Sequence, residues 1–596
     1  ISASVIDQKG VVKLDEYKQF SGRININSDI TDWFNLGISS MYSLRDFSGP
    51  TVDPSYGTHL SPYASLYNED GSYRVYPQGL SGIFNLFVTI PNVDLEKYNH
   101  LNATLSSRIK IPWVEGLSYN VNYNNSLRWN YRNVFSDENV YNDGVSNNGI
   151  GSRTHSNSGS MLFDYIVKYN RTFAEKHNVD VTLLYSYEKN TWENLKGSGR
   201  GFGNTTLLDY GLSSATTQSV NTGGGESASI GQMARATYSF NGKYSLTGTV
   251  RRDGFSAFSK NKKWGIFSSA AANWNITEEA FVEDVDFLNK LALRVSYGSN
   301  GNQSITPYST LARIGLNEYI FAGDGSYTIT QSISSLALNN LGWEKTTGWN
   351  LGIDFAVLNR RISGTIDAYK TKTEDLLFGL PLPRASGAGS ILSNIGQIDN
   401  KGIEIQLHTE NIVKNDFQWN SDFSFSLNRN KVVTIYGEDN DGDGIEDDLI
   451  SAGYFIGRPL GTIYNYKVLG IWQQEDADNG TIMQGLKPGD YIIEDVPDEN
   501  GDLDGAISSD KDRQFLGTSQ PNFRWSFTNN FTYKDLSLLV YLNSIWGGNN
   551  YFLSPINVWA DAFIDGLAKN RPVYDYWTPD NPGAEFPRPL YGRAAP

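Results

Sequence analysis

Apolar and polar residues alternate with a period of two along much of this chain, often beyond the roughly 5 to 6 residues of an ordinary strand. In one stretch Phe417, Trp419, Phe423, Phe425 and Leu427 share a face, and Gln418, Asn420, Asp422, Ser424, Ser426 and Asn428 share the other. The pattern recurs with Trp349, Leu351, Ile353, Phe355 and Val357, with Leu291, Leu293, Val295 and Tyr297, with Val179, Val181, Leu183, Tyr185 and Tyr187, and with Trp525, Phe527 and Phe531. Successive side chains of a strand point to opposite faces of its sheet. These segments therefore predict strands with one greasy and one wet side, as in a soluble β-sandwich array or in a membrane barrel with a polar lumen.

The connections separate those two architectures. Asn241-Gly242 joins two strand segments, and its tolerance of positive φ predicts a two-residue hairpin. Leu358-Asn359-Arg360 and Tyr533-Lys534-Asp535 are equally tight. Between the tight turns lie long Gly/Asn/Ser/Asp-rich segments, at 46–97, 190–227, 300–346, 373–400 and 430–521. Short turns at one end and long loops at the other are the asymmetry of outer-membrane barrels, and roughly 18 candidate strands fall within their size range. Tyr123, Tyr169, Tyr187, Tyr238, Tyr244 and Trp349 sit near strand ends, where an interfacial aromatic girdle would place them; ordinary strand propensity is the alternative reason.

Composition fits a two-faced wall: aromatic residues are 13% of 596, 35 of them Tyr, while Asn, Ser, Thr and Gly dilute the apolar content. A formal net charge of −16 without Lys/Arg clusters argues against a nucleic-acid partner. The chain has no cysteine, which removes disulfides, thiolate metal sites and Cys nucleophiles. No apolar run approaches the ~18 residues of a spanning helix. No signal segment leads in at Ile1, and the expectation is that such a segment precedes Ile1 in a longer protein.

Several long strings then carry a family resemblance. Ala236–Phe281 (ATYSFNGKYSLTGTVRRDGFSAFSKNKKWGIFSSAAANWNITEEAF), Leu341–Phe355 (LGWEKTTGWNLGIDF), Asn394–Leu407 (NIGQIDNKGIEIQL), Lys487–Val496 (KPGDYIIEDV) and Asp512–Leu542 occur in the order and spacing of one family. The chain resembles the barrel region of SusC/RagA-like TonB-dependent transporters of the Bacteroidetes. The resemblance implies an all-β fold, a large antiparallel transmembrane barrel of 22 strands in the family, with residues 1–596 forming the barrel domain and the N-terminal plug and last strands lying outside it. It also implies an outer-membrane location with lipid around the wall and the long loops facing the exterior. A SusD-like surface lipoprotein would be the lid, TonB would act through an N-terminal region preceding Ile1, and the cargo would be a glycan or peptide.

Two acidic segments are candidate Ca2+ or Mg2+ loops. Asp439, Asp441, Asp443 and Asp447 occupy positions 1, 3, 5 and 9 of an EF-hand-like spacing, with Gly444 at the turn, but Ile450 stands where the bidentate Glu belongs. Asn500, Asp502, Asp504 and Gly505 repeat the opening of the pattern and lead into Asp512. Solvated acidic loop tips are the plain alternative. No cofactor is required by either reading.

The five histidines are isolated, which removes zinc and His-base chemistry, and no nucleophile elbow is present. Gly223-Gly224-Gly225 lacks the Lys of a phosphate loop and reads as a flexible loop. Loop aromatics Tyr56, Tyr63, Trp472, Trp546, Trp559 and Trp577 are candidate contacts for sugar rings or peptides, or else pack against neighbouring loops. The expected function is energised import without covalent chemistry, so the chain is not expected to be an enzyme. A non-energised porin or adhesin barrel and a secreted carbohydrate-active β-protein are the competing classes.

Overall fold

The structure, a computed structural model, describes all residues except 12–14, 50–59, 61–62, 78–84, 86, 89–90, 138–140, 143–144, 147, 321–326, 441, 484, 499, 549–574 and 589–596. Seventeen strands form one antiparallel sheet, each pairing with the next sheet strand along the chain, from Ser2–Lys9 to Leu536–Trp546. Among the described residues those two outermost strands do not pair with each other. Such an up-and-down order is the topology of a barrel wall.

Alternation translates directly into two faces. A continuous apolar row crosses six neighbouring strands, Leu293, Ile353, Ile366, Ile405, Phe425 and Trp525 lying side by side. One residue further along each strand the face flips, and the row reads Arg294, Gly352, Asp367, Glu404, Ser426 and Arg524. Tyr297, Val295, Leu246 and Ile353 are exposed on the greasy side. An apolar belt this continuous is costly in water and is satisfied by lipid.

At one end of the sheet the strands are joined by tight turns. Asn241 and Gly242 both take positive φ, +51° and +70°, and the Lys243 amide closes the turn onto Phe240, as the sequence predicts. Leu358, Asn359 and Arg360 all sit at positive φ, with the Arg360 amide donated to Asn289. The other end carries the long connections, and these are folded. Hairpins pair Arg313–Ile320 with Tyr327–Ser335, Leu377–Pro381 with Ser390–Asn394, Thr462–Tyr466 with Arg513–Thr518, and Val468–Ile471 with Tyr491–Ile493.

One expectation fails here. Residues 190–227 are not a long loop: strands His177–Phe202 and Ala215–Phe240, each of 26 residues, pair through most of it. With Ile150–Phe173 of 24 residues and Leu117–Ser136 of 20 they stand far above the roughly 9 to 11 residues that cross a bilayer. Gly223-Gly224-Gly225 therefore lies inside a strand, opposite Asn194, Glu193 and Trp192. Beyond the membrane both faces are wet, so the apolar alternation stops while backbone pairing continues.

Among the described residues the sheet encloses no central core; two small apolar clusters sit at the long-loop end. Phe135, Phe202 and Ala215 pack with Val93 and Leu212, and Phe255, Ala257 and Phe258 pack with Ile305, Trp343 and Leu377.

Candidate functional site

On the polar face, charges are arranged across strands rather than along them. Arg294 donates to Asp354 (Nη2–Oδ1 2.9 Å) and also reaches Asp367 at 3.2 Å, crossing the strand that carries Gly352. A Cβ on Gly352 would stand 2.7 Å from the guanidinium, so the glycine is what lets the arginine pass. Lys290 approaches Asp354 at 3.5 Å, and His408 pairs with Asp422 at 2.7 Å around a cavity of about 490 Å3. Nearer the long-loop end, Glu188, Arg235, Arg251, Asp253, Asn300 and Asn302 line a second cavity of about 540 Å3. Arg251 is held by Asp253 at 2.8 Å. Largely paired, fixed charges of this kind can bind polar cargo or an inserted domain through hydrogen bonds.

In both acidic loops the described carboxylates are engaged by groups of the chain itself. Asp439 turns its two oxygens onto the amides of Gly442 and Gly444, at 2.8 and 3.0 Å, and Asp447 accepts from the amide and side chain of Asn440. Asp443 accepts from Ile445, and Asp441 lies outside the described residues. The carboxylate that organises this loop is one the spacing does not single out: Glu446 Oε1 accepts the amides of Ile435, Tyr436 and Gly437 at 2.7, 2.5 and 2.7 Å. Burial pushes its acidity the other way, but those amides outweigh it and hold the Glu446 carboxyl below the usual glutamate range.

In the second loop, Asp512, almost fully buried, accepts from Val496 and Ser508 with one oxygen each. Asp504 is paired with Lys511 at 2.7 Å, which holds its carboxyl below the usual range. The amides of Asn500 and Asp502 are donated to Asp498. Among the described residues no three His, Cys, Asp or Glu side chains converge. Backbone amides, the Asn440 side chain and a lysine are partners of the described carboxylates in these loops.

The candidate aromatics separate into two kinds. Tyr63 is 96% exposed in the first long connection. Trp546 is no loop residue: it ends the last sheet strand and stacks on its cross-strand partner Phe523, centroids 6.0 Å apart. Trp577 is buried, donating its indole N–H to Gln473 at 2.9 Å, and Trp472 lies next to Gln473 with its backbone bonded to Gly489 and Asp490. Tyr56 and Trp559 lie outside the described residues.

Sequence reasoning missed two assemblies at this end. In one, Asp490, 3% exposed, is gripped by Arg588 (Nε–Oδ1 2.6 Å, Nη2–Oδ2 3.1 Å), which pins 575–588 onto the 472–490 hairpin. In the other, the short 3-10 helix Leu208–Ser214 caps the tall strands, its buried Asp209 3.7 Å from Arg153, whose guanidinium lies 4.3 Å over Tyr210. Pro and aromatic residues flanking Arg588 mark a packed segment, but nothing local names its partner.

Residues 46–474 match the family model described as TonB dependent receptor-like, beta-barrel. The chain is similar to TonB-dependent receptor P3 of Formosa agariphila, 29% identical over 616 residues, covering 99% of this chain and 59% of that relative. It is similar to TonB-dependent receptor SusC of Bacteroides thetaiotaomicron, 34% identical over 281 residues, which is 46% of this chain and 26% of the relative. The fold is similar to that of the RagAB peptide transporter, with a TM-score of 0.80 at 21% identity, covering 99% of this chain and 65% of that one. The chain thus spans less than two thirds of the length of these relatives. Two-faced strands, the up-and-down wall, its turn asymmetry and the family match lead to one conclusion: the chain belongs to the TonB-dependent receptor β-barrel family.

Proposed function

We propose that this chain forms the wall of an outer-membrane importer for oligosaccharides or oligopeptides, covered by a SusD-like lipoprotein and energised through TonB. The observation that carries the reading is the wall itself: a six-strand apolar row backed, one residue away, by a row of four charged groups, a serine and a glycine, in a member of this receptor family. Lipid meets the first face and polar cargo the second. The end with the folded loops faces the exterior, and residues 1–596 are the barrel portion of a longer protein. RagAB, of similar fold, is a peptide transporter, which supports the oligopeptide class; the polar, hydrogen-bonding inner face suits an oligosaccharide equally. At the outer mouth the exposed faces of Tyr63 and Trp546 are aromatic surface that cargo or lid could meet. The chemistry is binding and passage, with no covalent step.

The test is uptake by cells carrying the full-length protein, with and without TonB. Import that stops when TonB is removed or the proton gradient collapsed supports the reading. Import that continues unchanged overturns it in favour of a passive pore.

A further inference from the structure

Strand Ala215–Phe240 outgrows its neighbour. The strand Tyr244–Phe255 pairs only with its Ser229–Phe240 half, so Thr216–Gly225 is bonded to His177–Phe202 on one side and, among the described residues, to no strand on the other. Both sheet neighbours of this strand are in place, so the open edge belongs to the wall itself.

The phase of the ladder shows which groups it offers. Ala228 uses both its N–H and C=O on Ser256, and Glu226 donates its N–H to the Tyr308 hydroxyl, all on the open side. Antiparallel pairing alternates, so Gln218, Val220, Thr222 and Gly224 also present both backbone groups there. Their odd-numbered neighbours face the inner strand. Val220, at the middle, is 74% exposed. Natural proteins blunt such edges with Pro, Lys or a bulge; Thr216–Gly225 contains neither residue, and its pairing register is unbroken from Thr217 onward. On the inner face the Trp192 indole lies against Gly223 and Gly225 and stiffens the strand from behind. At its foot, Lys189, Glu226, Ser256, Pro307 and Tyr308 enclose a recess of about 210 Å3.

We infer that the open edge Thr216–Gly225 is a docking site for an extended segment of a protein partner, which adds to the wall as a further antiparallel strand. Only a polypeptide offers N–H and C=O groups at the matching repeat; a glycan does not. The run spans roughly 33 Å at ~3.3 Å per residue, and its small side chains provide no specificity pockets above the recess. A short free peptide would have to offset its own ordering with bonds worth roughly 1 kcal/mol each. A strand already held by a folded partner does not meet that cost. The inference goes beyond the import reading, resting only on its placing of this end outside the membrane.

The test uses the full-length protein isolated with its bound partners from native outer membranes. Val220→Pro removes one outward N–H without touching the inner ladder. It should lower partner retention by about tenfold or more, with Val220→Ala within about twofold. In the isolated assembly, the amides of Gln218, Val220 and Thr222 should exchange at least about tenfold more slowly than in the separated chain. Those of Ser219, Asn221 and Gly223 should be equally protected in both. A photoreactive side chain at Thr222 should join this chain to a different protein. Unchanged exchange, full retention by the proline variant, or a crosslink to this same chain, a second copy or a cargo peptide overturns the inference. Uptake is not the readout, so failure of the import reading is separately visible.

Discussion

Arg588 holds Asp490 by a two-pronged ion pair across 98 residues of sequence, and Asp490 is 3% exposed. The pair is surrounded by further ties: the Arg588 amide donates to Gly489, and Trp577 fills the space that a Cβ on Gly489 would need, 2.5 Å from the ring. Removing one partner leaves a buried charge uncompensated.

Arg588→Ala should therefore release residues 575–588, at a local cost of about 3 kcal/mol. Arg588→Lys should recover part of that, because an ammonium cannot form the planar fork. Limited proteolysis of the intact protein reads this directly; equal cleavage of wild type and Arg588→Ala would show that the pair is not what holds the segment.

Glu446 supplies a pH dependence. Its folded carboxyl lies below the usual range because three amides favour the charged form over the opposing effect of burial. The stability it contributes is complete above the ordinary glutamate value of about 4.3 and is lost as pH falls through the lower folded value. Hydrogen exchange at Ile435, Tyr436 and Gly437 should rise below about pH 4 in wild type. Glu446→Gln should show raised exchange already at pH 7 and no such acid transition.

Gly225 and Gly224 should respond differently to the same substitution. A Cβ on Gly225 meets Trp192 Nε1 at 2.9 Å and Tyr308 at 3.2 Å, whereas on Gly224 the nearest atom is at 3.4 Å. Gly225→Val should displace the indole and cost about 1–3 kcal/mol by overpacking, while Gly224→Val should be near neutral. Tryptophan emission and heat-modified gel mobility check both.

Gly352→Leu should sever Arg294 from Asp367 without removing any charge. The variant should unfold at a lower temperature in detergent, and Asp367→Asn in the same chain should restore part of the loss. Identical melting of wild type and Gly352→Leu would show that the cross-strand arginine bridge is not a stabilising contact.

The faces of the wall are legible from residues such as Phe423, Phe425 and Leu427, as is the turn at Asn241-Gly242. The acidic loops are legible as loops but only partly in detail: spacing singles out Asp439 and Asp443, while Glu446, off that pattern, holds the turn. A spacing motif names oxygens that could converge; it does not name the carboxylate a few residues away on which backbone amides gather. The Gly223–Gly225 run misleads for a related reason. Glycine in isolation signals flexibility, yet here it makes room for the ring of Trp192, 31 to 33 positions earlier in the chain by sequence number but on the adjacent strand.

By itself the sequence determined the membrane-crossing part of this protein: lipid on one side and a polar lumen on the other leave only alternate residues apolar, and that demand is written locally in each strand. Apart from tight turns such as Asn241-Gly242, what stands clear of the bilayer was decided by tertiary structure. There both faces meet water, no periodic signal is required, and strand length, the open edge at Thr216–Gly225 and the Asp490–Arg588 clasp depend on which segments the wall brings side by side; within the wall, the Arg294 bridge depends on the same thing.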